Sequence, residues 1–452
     1  MPNAAGHERP GRGSPTGPRS GRGSRRRAVA GAAALLVAAG TLAACGSGGG
    51  GATTLTWYIN PDSGGQAEIA SRCTDAANGA YTIQTAQLPR ESSQQREQLI
   101  RRLAAQDSSI DIMSLDPPYI PEFAQAGFLA PIPDDVAGKV TQDVVQSAID
   151  GSTWDGKLVA VPFWANTQLL WFKKSVAEKA GLDMEQPVTW EQLIKAAEAQ
   201  KTDIAAQGIR AEALTVWVNA LIESAGGHII EKTADKPEDI QLGLTSPAAV
   251  QAATVMHDLA ASGVGGPAFT TSGEDANVTD FEKGSASFMV NWPFVWGRAL
   301  SAVKAGTLAQ SVPDDYGWTL YPRVDADKPS APPYGGINLG IGAFSTNVDG
   351  AFQAAECIVS EQNQAYYFTT NGNPAAKASV YDDPEVIKVF PQAPVIRESL
   401  EMAKPRPQTV YYSEVSGALQ REYHPATAID PEQTGKKAND LISSVLSGDQ
   451  LL

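Results

Sequence analysis

A chain of 452 residues, 42% of them apolar and 19% charged, is long enough to bury a sizeable core and to divide it between two lobes. The formal net charge is −15, but the first 44 residues hold seven arginines and one acid, so the remainder carries 28 basic and 49 acidic residues, near −21. A body that acidic is repelled by nucleic acid and by anionic lipid headgroups, which argues against a phosphate-backbone partner and leaves any membrane contact to the N-terminus.

Residues 1–44 read as an export signal. A polar, basic region ends in Arg25-Arg26-Arg27, and an apolar run from Ala28 to Leu42 follows. That run is short of the ~20 residues that cross a bilayer. Leu42-Ala43-Ala44-Cys45 offers the small residues a signal peptidase needs and resembles the lipobox of bacterial lipoproteins, in which the cysteine is acylated. The alternative is an ordinary signal peptide with a chance cysteine. Arg25-Arg26 fits either general or twin-arginine export. Residues 45–52 then form a glycine-rich tether with an r.m.s. reach of ~15 Å, placing the body on the extracellular face of the membrane. With Cys45 lipidated, Cys73 and Cys357 remain, as one disulfide or as two buried thiols.

Beyond the tether, strand-like and helix-like segments alternate. "TTLTWYI" (53–59) and "YTIQTAQL" (81–88) have the β-branched and aromatic content of strands, and "AEIASRCTDAA" (67–77) between them has helical spacing. A helix over 92–106 presents Leu99, Ile100 and Leu103 on one face, followed by a buried strand over 110–115 that ends at Asp116. "KLVAVPF" (157–163) and "TQLLWF" (167–172) read as strands, 189–200 as an amphipathic helix, and Ser246-Pro247 as the start of another. The alternation predicts an α/β protein with mainly parallel sheets covered by helices on both faces.

In such sheets ligands bind beyond the carboxyl ends of the strands, so polar residues there have two readings. Asp116 is a helix cap or a ligand group; Asn166 is a turn residue or a ligand group; Glu274 and Asp275 form a solvated acidic loop or a binding edge. Trp292, in "SFMVNWPFVW", is a core residue or a platform at a strand-to-helix turn. There are nine tryptophans. A sugar ring packs a face of C–H bonds on an indole, and its hydroxyls both donate and accept, so carboxylates, Asn and Arg together satisfy them.

Four segments in order, "IDIMSLDPPYIPEFAQAGFLAPI", "DGKLVAVPFWANTQLLWFKKSVAEKAGL", "FEKGSASFMVNWPFVW" and "YGGINLGIGAFSTNVDGAFQAAECI", resemble the carbohydrate-binding proteins of bacterial ABC importers. "NTQLLW", "VNWPFV" and "GGINLG" are similar to actinobacterial trehalose-binding lipoproteins. The resemblance implies a two-lobed periplasmic-binding-protein fold of the type II kind with a multi-crossing hinge. Lobe one would comprise residues 53–162 and 320–361, and lobe two residues 163–319 and 362–452. Crossings would fall near 162–166, 316–321 and 361–365. It puts Cys73 and Cys357 in one lobe, which favours their disulfide. It also implies a cleft lined by Asp116, Asn166, Glu274, Trp292, Gly336 and Arg406, with Asn60, Asp62, Gln95, Glu212 and Trp217 as further positions.

The function so implied is binding of a sugar, trehalose foremost, and its delivery by a lipid-anchored monomer to membrane permease subunits, with no cofactor, metal or catalytic residue. A maltose-type oligosaccharide or a sugar phosphate is the alternative cargo. A secreted glycosidase using Asp116 and Glu274 is the competing class. Against it, the chain has no G-x-S-x-G element, and His228, His257 and His424 are scattered.

Overall fold

A computed structural model describes residues 53–234 and 236–452. The export signal, Cys45 and the tether expected within residues 1–52 lie outside the described residues. The principal strands are β1 (Thr53–Ile59), β2 (Tyr81–Gln87), β3 (Ile112–Leu115), β4 (Val161–Thr167), β5 (Leu169–Lys173), β6 (Asp203–Ala205), β7 (Ala286–Asn291), β8 (Tyr316–Thr319) and β9 (Tyr334–Ile341). The helices that matter below are α1 (Gly65–Ala76), α2 (Ser92–Ala104), α3 (Trp190–Gln200), α4 (Glu212–Ser224), α5 (Pro247–Ala261), α6 (Glu274–Lys283), α7 (Val348–Ile358) and α8 (Tyr412–Glu422).

The first five strand-like and helix-like segments fold as their patterns require. β1 and β2 pair in parallel from Thr53↔Tyr81 to Ile59↔Gln87, and α1 connects them, burying Ile69, Ala70 and Cys73 at helical spacing. On α2, Leu99 and Leu103 are buried while Ile100 sits at the edge of the same face. Thr189 and Gln192 form a reciprocal capping box at the start of α3. Ser246 accepts from the Ala249 N–H ahead of Pro247, as its position at the start of α5 suggests.

These strands form two sheets, ordered β2-β1-β3-β9-β4 and β8-β5-β7-β6, beside two small two-stranded ones. They are mixed rather than mainly parallel. The pairs β1–β2, β1–β3 and β6–β7 are parallel, and the other four are antiparallel. The reason is connectivity: helical crossovers return the chain in the same direction, but β4, β5, β8 and β9 carry it from one sheet to the other, and direction leaves no mark on apolar periodicity. The expected crossings shift for the same reason. β4 stays in the first sheet through Thr167 and β5 begins at Leu169, so the chain changes sheets at Gln168, beyond 162–166. It returns over residues 320–333, later than 316–321.

One core packs α1, α7 and the first sheet, and the Cys73–Cys357 disulfide ties α1 to α7. A second packs α3, α4 and α5 on the second sheet around Trp190 and Trp217, whose rings lie 5.9 Å apart. A third, containing Trp171, Tyr334 and Phe368, draws on both sheets.

Candidate ligand-binding site

Asp116 follows the last residue of β3 and makes no side-chain cap to the turn after it. Its carboxylate turns instead towards Arg406, accepting from Nη1 at 3.2 Å and also from Nη2, and it accepts from the Ser92 hydroxyl at 2.7 Å. Arg406 comes from the segment before α8, which packs on α4 of the second sheet. The same guanidinium donates through Nη1 to Glu212 at 2.6 Å. Glu212 is the first residue of α4, where a carboxylate is favoured by the helix macrodipole. It also accepts from the hydroxyls of Tyr412 and, at 2.7 Å, Ser416.

The electrostatics follow from burial. Desolvation pushes the Glu212 carboxyl up, against the pull of the Arg406 charge. Burial opposes the Arg406 charge too, but Asp116, Tyr412 and Glu212 more than offset it and hold the guanidinium well above its ordinary range. Tyr119, just after Asp116, meets Tyr412 edge to face at 5.3 Å. This cluster therefore bridges the two sheets.

A second group forms where β7 ends. Asn291 is fully buried; its Nδ2 donates to the Glu274 carbonyl at 3.1 Å and its Oδ1 accepts from the Trp292 N–H at 2.9 Å. The start of α6 and Trp292 are thus pinned together. Burial raises the Glu274 carboxyl pKa, while its own backbone N–H and the Trp292 side chain pull it down. Trp292 reaches over to β9, where its ring edge lies 3.0 Å from the place a Cβ on Gly335 would occupy. Asn166 is opposite Gly335 in the β4–β9 ladder and buried, a strand residue and not a turn.

Other expected positions have structural contacts of their own. Gly336 has φ +115°, and a Cβ there would stand 2.2 Å from the Trp164 carbonyl oxygen; its freedom lets β9 run that close to β4, where it pairs with Ala165. Trp217 is fully buried against Trp190 and Phe269 in the second core, on the part of α4 that faces inward. Asp62 accepts from the N–H groups of Gly64 and Gln66 and so caps α1. The Asn60 amide donates to Gln95, and Gln95 donates to the Pro89 carbonyl, so both tie loops together; Gln95 also lines a recess with Ser92, Asp116 and Tyr119. Sequence reading passes over Ser92, Gly335, Tyr412 and Ser416. Only Gly335, beside Gly336, carried a local signal.

Comparison with known proteins places this architecture. The model of the family described as bacterial extracellular solute-binding protein matches residues 67–365. The chain belongs to that family. It is 25% identical over 352 residues to a probable ABC transporter-binding protein of Deinococcus radiodurans, covering 75% of this chain and 80% of that one. It is likewise 25% identical over 371 residues to a mannitol-binding protein of Pseudomonas aeruginosa, covering 79% and 81%. Among solved structures, maltose-bound MalE3 of T. maritima superimposes with a TM-score of 0.74 at 25% identity, covering 88% of this chain and 100% of its own. Membership makes the chain a binding protein and not an enzyme, which removes the glycosidase reading of Asp116 and Glu274. Among the described residues no helix is long and apolar enough to cross a membrane.

Proposed function

We propose that this protein is the sugar receptor of an ABC importer and that it binds trehalose between its two sheets. The observation that carries the reading is the meeting of two polar sets from opposite sheets: Asp116 with Arg406 and Glu212, and Gly335 and Asn166 with Trp292 and Glu274. A forked cation, carboxylates and an indole are the groups a polyhydroxylated ring needs. Relatives named for mannitol and for an ABC transporter, and a structural relative bound to maltose, support a sugar or polyol as cargo. The resemblance of "NTQLLW", "VNWPFV" and "GGINLG" to the trehalose-binding lipoprotein LpqY favours trehalose within that class.

In this reading each sheet and its helices form one lobe. Sugar bridges groups from both and favours the closed form through contacts absent from the open one. The closed lobes then present a surface to permease subunits, and acylated Cys45 holds the receptor at the membrane. A second reading, maltose or a polyol in the same cleft, is favoured by the names of the relatives. Calorimetric titration with trehalose, maltose and mannitol decides between them. Heat with trehalose is the expected result; binding of maltose or mannitol with no trehalose signal overturns it.

A further inference from the structure

We infer that Gly335 is a positioning residue: its missing side chain seats the Trp292 indole and thereby fixes where that ring stands against β9. The inference rests on the reading that Trp292 faces the ligand. Its geometry is independent of which sugar binds.

The two neighbouring glycines of β9 differ in kind. Gly336 sits in the left-handed half of conformational space and a Cβ on it would collide with backbone, so only glycine fits. Gly335 has no positive φ, and any residue could adopt its backbone. A Cβ there would meet Trp292 Cη2 and Cζ3, both at 3.0 Å, and then nothing nearer than the Asn166 Cβ at 3.9 Å. Among the described residues, the obstacle a Cβ at 335 meets first is therefore an indole from the other sheet.

The backbone that carries that indole is tethered. The Trp292 N–H is bonded to Asn291 at 2.9 Å, Asn291 is bonded in turn to the first residue of α6, and Pro293 follows. The ring is the part held least and yields first. Adding a methyl group at 335 pushes the ring by a few tenths of an ångström, away from the place the Glu274 carboxylate and β9 now define. Binding groups lose function over displacements of that order.

The test uses the whole chain labelled with 5-fluorotryptophan. The ligand-free ¹⁹F resonance of Trp292, identified by its loss in Trp292→Phe, should shift in Gly335→Ala; an unmoved resonance overturns the inference. Trehalose affinity should fall about tenfold in Gly335→Ala. In the Trp292→Phe background, which lacks Cη2 and Cζ3 at that reach, the same change should cost nothing further, and additive losses overturn the inference. If Gly335→Ala fails to fold, restoration by Trp292→Phe supports the seat, and failure in both backgrounds overturns it. Should wild-type protein bind no sugar, the functional reading falls while the ¹⁹F shift still decides the seat.

Discussion

Two sets of charges join the sheets, and they are built from the same residue types in opposite surroundings. In the inner set, Arg406 is 4% exposed and lies between Asp116 and Glu212, at 15% and 13%. In the outer set, Arg90 pairs with Asp275, at 71% and 53% exposure. The inner charges have lost most of their water, so each depends on its partners, and the hydroxyls of Ser92, Tyr412 and Ser416 complete the acceptors' shells. The outer pair keeps its water and gains little from contact. Proximity is shared; what differs is the cost of separation.

The largest effect should come from breaking the inner set. Arg406→Ala leaves two carboxylates from different elements without their cation, and urea denaturation should show a loss of about 3–5 kcal/mol, together with loss of sugar binding in calorimetry. Arg406→Lys keeps a charge but lacks the fork that reaches Asp116 and Glu212 at once, and should recover only part of both. A loss below about 1 kcal/mol for Arg406→Ala would break the contrast, since that is what an exposed pair costs.

Lys173 sharpens the comparison because it is a buried cation with no carboxylate at salt-bridge distance among the described residues. Its Nζ lies over the rings of Tyr316 and Phe281, 4.2 and 4.5 Å from their centres. Burial pushes its pKa down to about 8, against the weaker pull of Asp315 and Glu282. In the unfolded chain the amine stays protonated to about 10.4. Below pH 8 the folded state must therefore bury a charge, and stability should rise between pH 8 and about 10.4 as the folded amine alone loses its proton. Lys173→Met should be more stable than wild type by about 1–3 kcal/mol at pH 7, with the gap closing by pH 10. Paired denaturation curves at the two pH values check the sign.

How much of this was legible in the sequence depended on the range of the interaction. The βαβ start, Thr189 and Ser246 at their helix entries, and Asp116 at the end of its strand are set by neighbours a few residues away, and the pattern carries them. Trp217 and Trp292 look alike as letters. One falls on the inward side of α4 and the other on a strand-to-helix turn, and the phase of α4 against the second sheet is a tertiary fact. Gly335 and Gly336 are identical in sequence, yet the sign of φ and the atom each would strike come from β4 and Trp292. Glu212 depends on Tyr412 and Ser416, 200 and 204 residues away. Strand direction leaves no mark on apolar periodicity, which is why the pattern predicts mainly parallel sheets where mixed ones form.

The smallest effect should come from the outer pair. Arg298 holds Asp275 from its own side, with Nη1 3.5 Å from the carboxylate, while Nε and Nη2 engage Glu282 at 3.1 and 3.0 Å and Nη2 reaches the Thr279 hydroxyl at 2.9 Å. Asp275 is thus pre-positioned from its own side, and among the described residues Arg90 is the cation that crosses to it. A double-mutant cycle on Arg90→Ala and Asp275→Ala should give a coupling of about 0.2–1 kcal/mol at low salt. At 1 M NaCl the screening length falls to about 3 Å, and that coupling should vanish. The Asp116–Arg406 coupling, shielded from ions by burial, should survive the same salt. If the outer coupling persists at 1 M, exposure is not what separates the two sets, and Arg298 must be ordering Asp275 strongly enough to make the rim behave like the interior.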